Sequence, residues 1–574
     1  MFSRATSLPA VCECLIKAAY DPRVAGLFIK VGLLSCGWAK VEEIRRHIDF
    51  FRQSGKFTIG YMERGNEKEY FLLSACEEVY LPPSGSLGLR GLSVSATFLR
   101  GTLNKIGIEP QVRRIGKYKS AGDQLLREDM SEPQREQLTA LLEDLYSGFV
   151  AGVAKSRSKA ENEVIDMLEE GFVDTESFRE GGWVTDLKYM DELIDMVKER
   201  QKVDKKKKLK RVTLRRYASV SPSAFGLGAG KVIAVIRASG SITGAQMAQA
   251  GSITTKQTIR EIQQARDNKA VKAIVLRVDS PGGDALASDI MWRELQKAAV
   301  EKPVIASMSD VAASGGYYLA MAASKIVAEG LTITGSIGVV LGKFSLQELY
   351  KKIGVGKEML SKGRYAEILA ESRSFSKEEE EYFTRLAEHS YTEFRNKAAE
   401  CRGMATEEMQ ELAQGRVWSG RRAADVGLID AVGGISRAIA VAKQAADIAP
   451  DKPVRLMELS RQKGSPLEAL QGAGAMAGTL TWVLFLLFGL GSLIKSRGQE
   501  GKADFVIDAA LAAVGLAGPL LQSKQSDVEY LMEDVSLDDG PAKDVAPQAV
   551  LDESLMAASG NLPPLLRDLI SKLL

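Results

Sequence analysis

Ser314 lies in the run Ala312-Ala313-Ser314-Gly315-Gly316-Tyr317, just ahead of a helix-compatible stretch. A serine hydroxyl there can attack a carbonyl carbon once a base removes its proton; the helix N-terminus favours developing negative charge, and small neighbours admit a substrate backbone. A helix N-cap explains the same serine without chemistry. Upstream, Asp279-Ser280-Pro281-Gly282-Gly283-Asp284 follows an apolar, β-rich run. Its paired glycines free N–H groups to point at an anion, as an oxyanion hole requires, and a tight strand-to-helix turn accounts for them equally. Downstream, Thr334-Gly335-Ser336-Ile337-Gly338 offers a second hydroxyl near the site, or another turn. The three together, in this order, are more specific than any one.

A nucleophile needs a base, and the chain has only two histidines. His47 and His389 fall in charged helical stretches and read as solvated helix faces, which weakens both Ser/His/Asp chemistry and a histidine-based zinc site. Lysine remains. Lys119, in GKYKSAGDQ, reads on its own as a surface residue. To accept a proton near neutral pH it would need burial or a neighbouring cation to lower its pKa.

Internal repetition singles it out. Gly116, Tyr118 and Lys119 align with Gly363, Tyr365 and Ala366 at an offset of 247 (363 − 116), and Ser314 aligns with Glu67 at the same offset. Each copy therefore keeps one half of a Ser/Lys pair. Tyr70 aligns with Tyr317, and the strand-like run 26–31 with 273–278. Further on, 171–175 parallels 415–419 at an offset of 244 (417 − 173), a small loop deletion of the kind a duplicated domain tolerates. The apolar run 231–242 opens the second copy, but its counterpart would precede Met1, so an upstream segment with any targeting peptide is expected.

Strand-like and helical runs alternate in both copies: 24–31, 41–54 and 57–61 in the first, 272–279, 284–300 and 303–308 in the second. Long charged helices follow at 132–156 and 376–400. This pattern predicts α/β units with mostly parallel sheets. The division that follows is a first repeat at 1–200, a basic linker at 201–230, a second repeat at 231–450 and an extension at 451–574.

The linker holds Lys205-Lys206-Lys207-Lys208 and reads as solvated. In the extension, 472–494 carries no charge and is long enough to cross a bilayer, though a buried helix or membrane-surface segment also fits; 527–554 is acidic and expected to be disordered. A net charge of +2 argues neither for nucleic acid nor for an acidic partner, and five irregularly spaced cysteines argue against a disulfide framework and for a reducing compartment.

The strings RIGKYKSAGDQ, VDSPGGDALASD, SMSDVAASGGYY and LTITGSIGVV resemble the signal peptide peptidase A family, also called protease IV, in its long two-repeat form of the plant and cyanobacterial type. The resemblance spans about residues 7–450. It implies two crotonase-like (Clp-type) domains and a serine endopeptidase acting on signal peptides or other membrane-derived polypeptides. Ser314 would be the nucleophile, Lys119 the general base and Ser336 the lysine's orienting hydroxyl, with the Gly283 and Gly315 N–H groups as oxyanion hole. It also implies a homo-oligomer associated with a chloroplast thylakoid or cyanobacterial membrane, and no metal or cofactor. A crotonase-type acyl-CoA enzyme and a non-catalytic membrane scaffold stay open as rivals. The first would leave the Ser/Lys complementarity unexplained.

Overall fold

The computed structural model describes residues 7–244 and 251–459; the apolar run 472–494 and the acidic stretch 527–554 lie outside them. The first repeat begins with α1 (Leu8–Tyr20), β1 (Gly26–Lys30), α2 (Trp38–Arg52), β2 (Phe57–Tyr61), β3 (Arg64–Asn66) and α3 (Glu67–Leu73). It continues through β4 (Glu78–Leu81), β5 (Ser86–Gly88), α4 (Arg100–Ile106), β6 (Glu109–Ile115), α5 (Glu132–Arg157) and β7 (Asp186–Leu187). Its sheet runs β1-β2-β4-β7, all parallel, with β3 and β5 forming a separate parallel pair.

The second repeat has the same plan with a larger sheet. It opens with β8 (Lys231–Ser239), α6 (Thr255–Asp267), β9 (Val271–Ser280), α7 (Ala285–Glu301), β10 (Val304–Ala313) and α8 (Gly315–Ala320). Then come β11 (Lys325–Ala328), β12 (Ile333–Gly335), β13 (Val339–Ser345), α9 (Gln347–Ile353), α10 (Lys377–Arg402), β14 (Val417–Ser419), β15 (Ala431–Val432) and β16 (Val454–Glu458). The order is β14-β12-β10-β9-β8-β16, with β11 and β15 branching from β10; only the β12–β14 pair is antiparallel. Strands β8, β9 and β10 are near-continuous apolar runs because helices cover both faces, which is the pattern of a parallel α/β sheet. Tyr70 and Tyr317 are both fully buried and donate to equivalent carbonyls, Trp183 O and Leu428 O.

Three expectations change. β16 lies beyond residue 450 and pairs with β8, Val454 opposite Lys231, so the second sheet extends past the expected boundary. The linker is solvated only in part: Lys205 to Lys208 are exposed, but Leu214 and Tyr217 pack into the first core and the Tyr217 hydroxyl donates to Asp21 at 3.0 Å. His47 is buried, with Nδ1 2.7 Å from Glu43 O and Nε2 2.8 Å from Ser436 Oγ; His389 is exposed as expected.

His47 is buried because α2 docks against the second repeat through its charged face. Glu43 pairs with the buried Arg277 and accepts the Ile435 N–H at 2.7 Å, while Arg46 reaches the fully buried Glu329 at 2.6 Å. Arg277 is satisfied further by Ser307 Oγ and Ser309 Oγ. Such groups are tolerable only when every charge finds partners, so the junction has one geometry and misalignment would strand a charge. Burial and the Glu42 and Glu43 charges push the Glu329 carboxyl up to about 7, against the opposing effect of Arg46.

Candidate active site

The junction brings the two half-sites together. β6 of the first repeat pairs antiparallel with β13 of the second over seven residues, from Val339 opposite Ile115 to Ser345 opposite Glu109. Lys119 follows β6 and Ser336 precedes β13, so this ladder sets where each falls. Lys119 Nζ lies 3.2 Å from Ser314 Oγ, 3.0 Å from Ser336 Oγ and 2.9 Å from Ser336 O. The lysine is 5% exposed, and burial alone lowers its pKa from 10.5 to about 8. A neutral amine at that distance can take the Ser314 proton near physiological pH.

Both serines sit on strained backbone. Ser314 has φ 54° and Ser336 φ 53°, a region costly for residues with a side chain. The surroundings hold them there: Ser314 N–H donates to Gly335 O at 2.9 Å and Ser336 N–H to Arg416 O at 2.7 Å. Ser314 is also the residue before α8, so its N-cap position and its place beside Lys119 coexist.

The Gly282–Gly283 turn packs directly on this bend. A side-chain carbon at Gly282 would fall 2.6 Å from Gly315 N, and one at Gly283, φ 149°, would fall 2.0 Å from Ile242 O; only glycine fits either place. Gly282 O accepts from Ile242 N–H and Asp284 N–H donates to Ile242 O, a parallel bridge that uses the neighbours of Gly283 and turns its own N–H away. Gly315 N–H is in the first turn of α8, where amides have no intrahelical acceptor. A free N–H next to a serine hydroxyl and a low-pKa amine, as at Gly315, is a donor that can hold an oxyanion.

Of the five residues singled out in the sequence, Lys119 contacts Ser314 and Ser336, Gly315 adjoins Ser314 in the chain, and Gly283 follows Gly282, which packs against Ser314 and Gly315. Several others at the site carried no recognisable signal. Lys40 of α2 pairs with Asp279 at 2.8 Å, anchoring the strand end that leads into the glycine turn. Gln137 of α5 contacts both residues flanking Lys119, its Nε2 donating to Tyr118 O and Ser120 Oγ, each at 3.0 Å. They sit in ordinary polar helices, and only the fold assigns them neighbours. Among the described residues there is no cluster of metal-ligating side chains.

Comparison with known proteins places the chain in a family. The model of peptidase family S49 matches twice, at residues 51–204 and 296–449. The chain is 49% identical over 525 residues to the chloroplastic serine protease SPPA of Arabidopsis thaliana, covering 91% of this chain and 77% of that one. It is 30% identical over 456 residues to Protease 4 of Haemophilus influenzae, covering 76% and 73% respectively. A putative protease of Synechocystis is 34% identical over 198 residues, 34% of this chain and 72% of its own length. The acyl-CoA and scaffold readings fall away, and the chain belongs to peptidase family S49, a serine peptidase built from two copies of the family domain.

Proposed function

We propose that this peptidase works through a Ser314/Lys119 dyad shared between its repeats. Neutral Lys119 takes the Ser314 proton as Oγ bonds to the peptide carbonyl carbon, and the Gly283 and Gly315 N–H groups hold the oxyanion. The intermediate collapses, Lys119 returns the proton to the departing amine, and water then cleaves the acyl ester by the same route. Ser336 donates to or accepts from Nζ and keeps the lone pair aimed at Ser314. The single observation carrying this reading is the 3.2 Å contact between Nζ and Oγ across the repeat junction. A serine-directed acylating probe should label native protein at Ser314 and fail on Lys119→Met; cleavage persisting in purified Ser314→Ala would reject the dyad.

The two repeats are assigned to the crotonase-like class, with a first repeat at 1–200, a connecting segment at 201–230 and a second repeat that starts at 231 and takes in β16. Signal peptides or other membrane-derived polypeptides are the proposed substrates, and a chloroplast thylakoid the proposed location. Similarity to the chloroplastic Arabidopsis protease and the uncharged run 472–494 support that placement.

A head-to-tail homo-oligomer is proposed as well. The β6–β13 ladder has a second, unused set of equivalents: residues 92–98 match β13 and 356–362 match β6 at the 247-residue offset, and both lack strand partners among the described residues. Gly354 and Gly363 flank 356–362 at φ 76° and 122°, as Gly107 and Gly116 flank β6 at 84° and 116°. Val94 and Leu360 would face one another in the register of Leu341 and Arg113; they are 45% and 97% exposed. Segments that match paired strands of the other repeat and carry exposed apolar side chains favour addition of another copy. Val94→Cys/Leu360→Cys protein should give a ladder of chain-linked species on a non-reducing gel, and a single monomer band would end this part of the reading.

A further inference from the structure

We propose that Gln137 is a positioning residue for the peptidase reaction, fixing the register of Lys119 against Ser314 by tying the lysine loop to the opposite repeat. The inference rests on the dyad reading above. The Gln137 side chain is 3% exposed and uses both ends of its amide. Nε2 donates to Tyr118 O and Ser120 Oγ, the residues on either side of Lys119, while Oε1 accepts the Val417 N–H at 3.3 Å. Val417 pairs with Gly335 in the β12–β14 ladder, one residue before Ser336. One side chain thus spans the gap between the backbone that carries the amine and the strand that carries its orienting hydroxyl. Alongside it, Glu136 accepts from Tyr118 Oη and from Arg416 Nη1, each at 3.0 Å, a second tie across the same seam.

The other repeat gives an independent observation. α5 and α10 are each 26 residues long and follow their lysine-loop segments in the same way, so the sixth residue of each corresponds: Gln137 and Tyr382. In the second repeat Ala366 stands where Lys119 does. There Tyr382 stacks on Tyr365, the counterpart of Tyr118, with ring centroids 4.6 Å apart. The amide and the lysine are absent from the same copy. A residue needed only to hold α5 on the loop would have no reason to vanish with the amine, whereas one that aims the amine would.

The test uses full-length Gln137→Met, which keeps length and removes every hydrogen bond, and Gln137→Glu, which keeps an acceptor for Val417 N–H and loses both donors. Rates of Ser314 acylation by the probe are measured from pH 6 to 10 beside thermal melts, with Lys119→Met as control. Positioning predicts a fall in acylation rate of about 10- to 100-fold in both variants, with the acidic limb of the profile displaced to higher pH as water reaches the amine. A drop in melting temperature with an unchanged limb and an unchanged rate per folded molecule would overturn it. Should Gln137→Met fail to fold, Gln137→Glu carries the same two outcomes. If the Lys119→Met control is still labelled, the dyad reading fails and this inference with it; if the control is silent and only the Gln137 variants behave as native, the inference alone fails.

Discussion

The two repeats share a backbone and differ in what it has been used for. In the second, the residue before the short helix is Ser314, held at φ 54° beside a glycine turn. In the first, the matching position is Glu67, the first residue of α3, and the counterparts of Gly282 and Gly283 are Ser35 and Cys36. That copy has a carboxylate in place of the nucleophile and side chains where the oxyanion turn needs none. What it retains is the lysine, which is useless to its own repeat and 3.2 Å from the hydroxyl of the other. On the proposed dyad, duplication has let one domain specialise as the nucleophile and its oxyanion site, and the other as the base.

The strongest attempt to break this comparison is to move the chemistry. Ser314→Ala should lower turnover by at least about 10⁴-fold, and adding Glu67→Ser and Ala366→Lys to it should restore nothing, because no oxyanion turn faces the new serine. Recovery of peptide cleavage in the triple variant would show the repeats to be interchangeable.

A narrower exchange concerns the turn. Gly283→Ala puts a carbon 2.0 Å from Ile242 O, so it should displace the N–H donor and cost about 10²- to 10³-fold in turnover. Cys36→Gly at the corresponding place in the first repeat should leave turnover within about twofold. Parallel kinetics on the two variants check the contrast.

The smallest effect is on stability. Lys119 has its folded-state pKa lowered from 10.5 to about 8, so the unfolded chain binds the proton more readily between those values and stability rises with pH there. Below about pH 8 the buried charge works against folding. Lys119→Met removes that cost, at most about 3 kcal/mol, less what the lost contacts to Ser336 contributed. The variant should melt a few degrees above native protein at pH 7, and the gap should close as pH approaches 10.5. A lower melting temperature at pH 7 would mean that the contacts to Ser314 and Ser336 outweigh the cost of burying the charge. The same shift predicts native activity rising through about pH 8.

Much of this was readable in the chain. The run 57–61 matches β2 in both bounds, and the long helices at 132–156 and 376–400 emerge within two residues of their predicted ends. Buried parallel strands and capped helices write their own periodicity into the sequence. Helix α2 resisted because its charged side, VEEIRRHIDF, looks solvated by composition; Glu43, Arg45 and His47 are in fact buried. Polarity reports the need for polar partners, and those of Glu43 and His47 lie in the other repeat while those of Arg45 lie on α3 and α5 of its own. The β6–β13 ladder resisted for a similar reason, since neither segment alternates clearly and each is a strand only opposite the other.

The sequence by itself determined that the chain is a duplication and that Ser314 and Lys119 each occur in only one copy, because an offset and a pair of substitutions need no coordinates. Only the tertiary structure decided that Lys119 is desolvated, that its amine reaches Ser314, and that Gln137 and Lys40 hold the seam. Those properties depend on distances between segments far apart in the chain, and distance is fixed by packing across the junction and not by local residue preference.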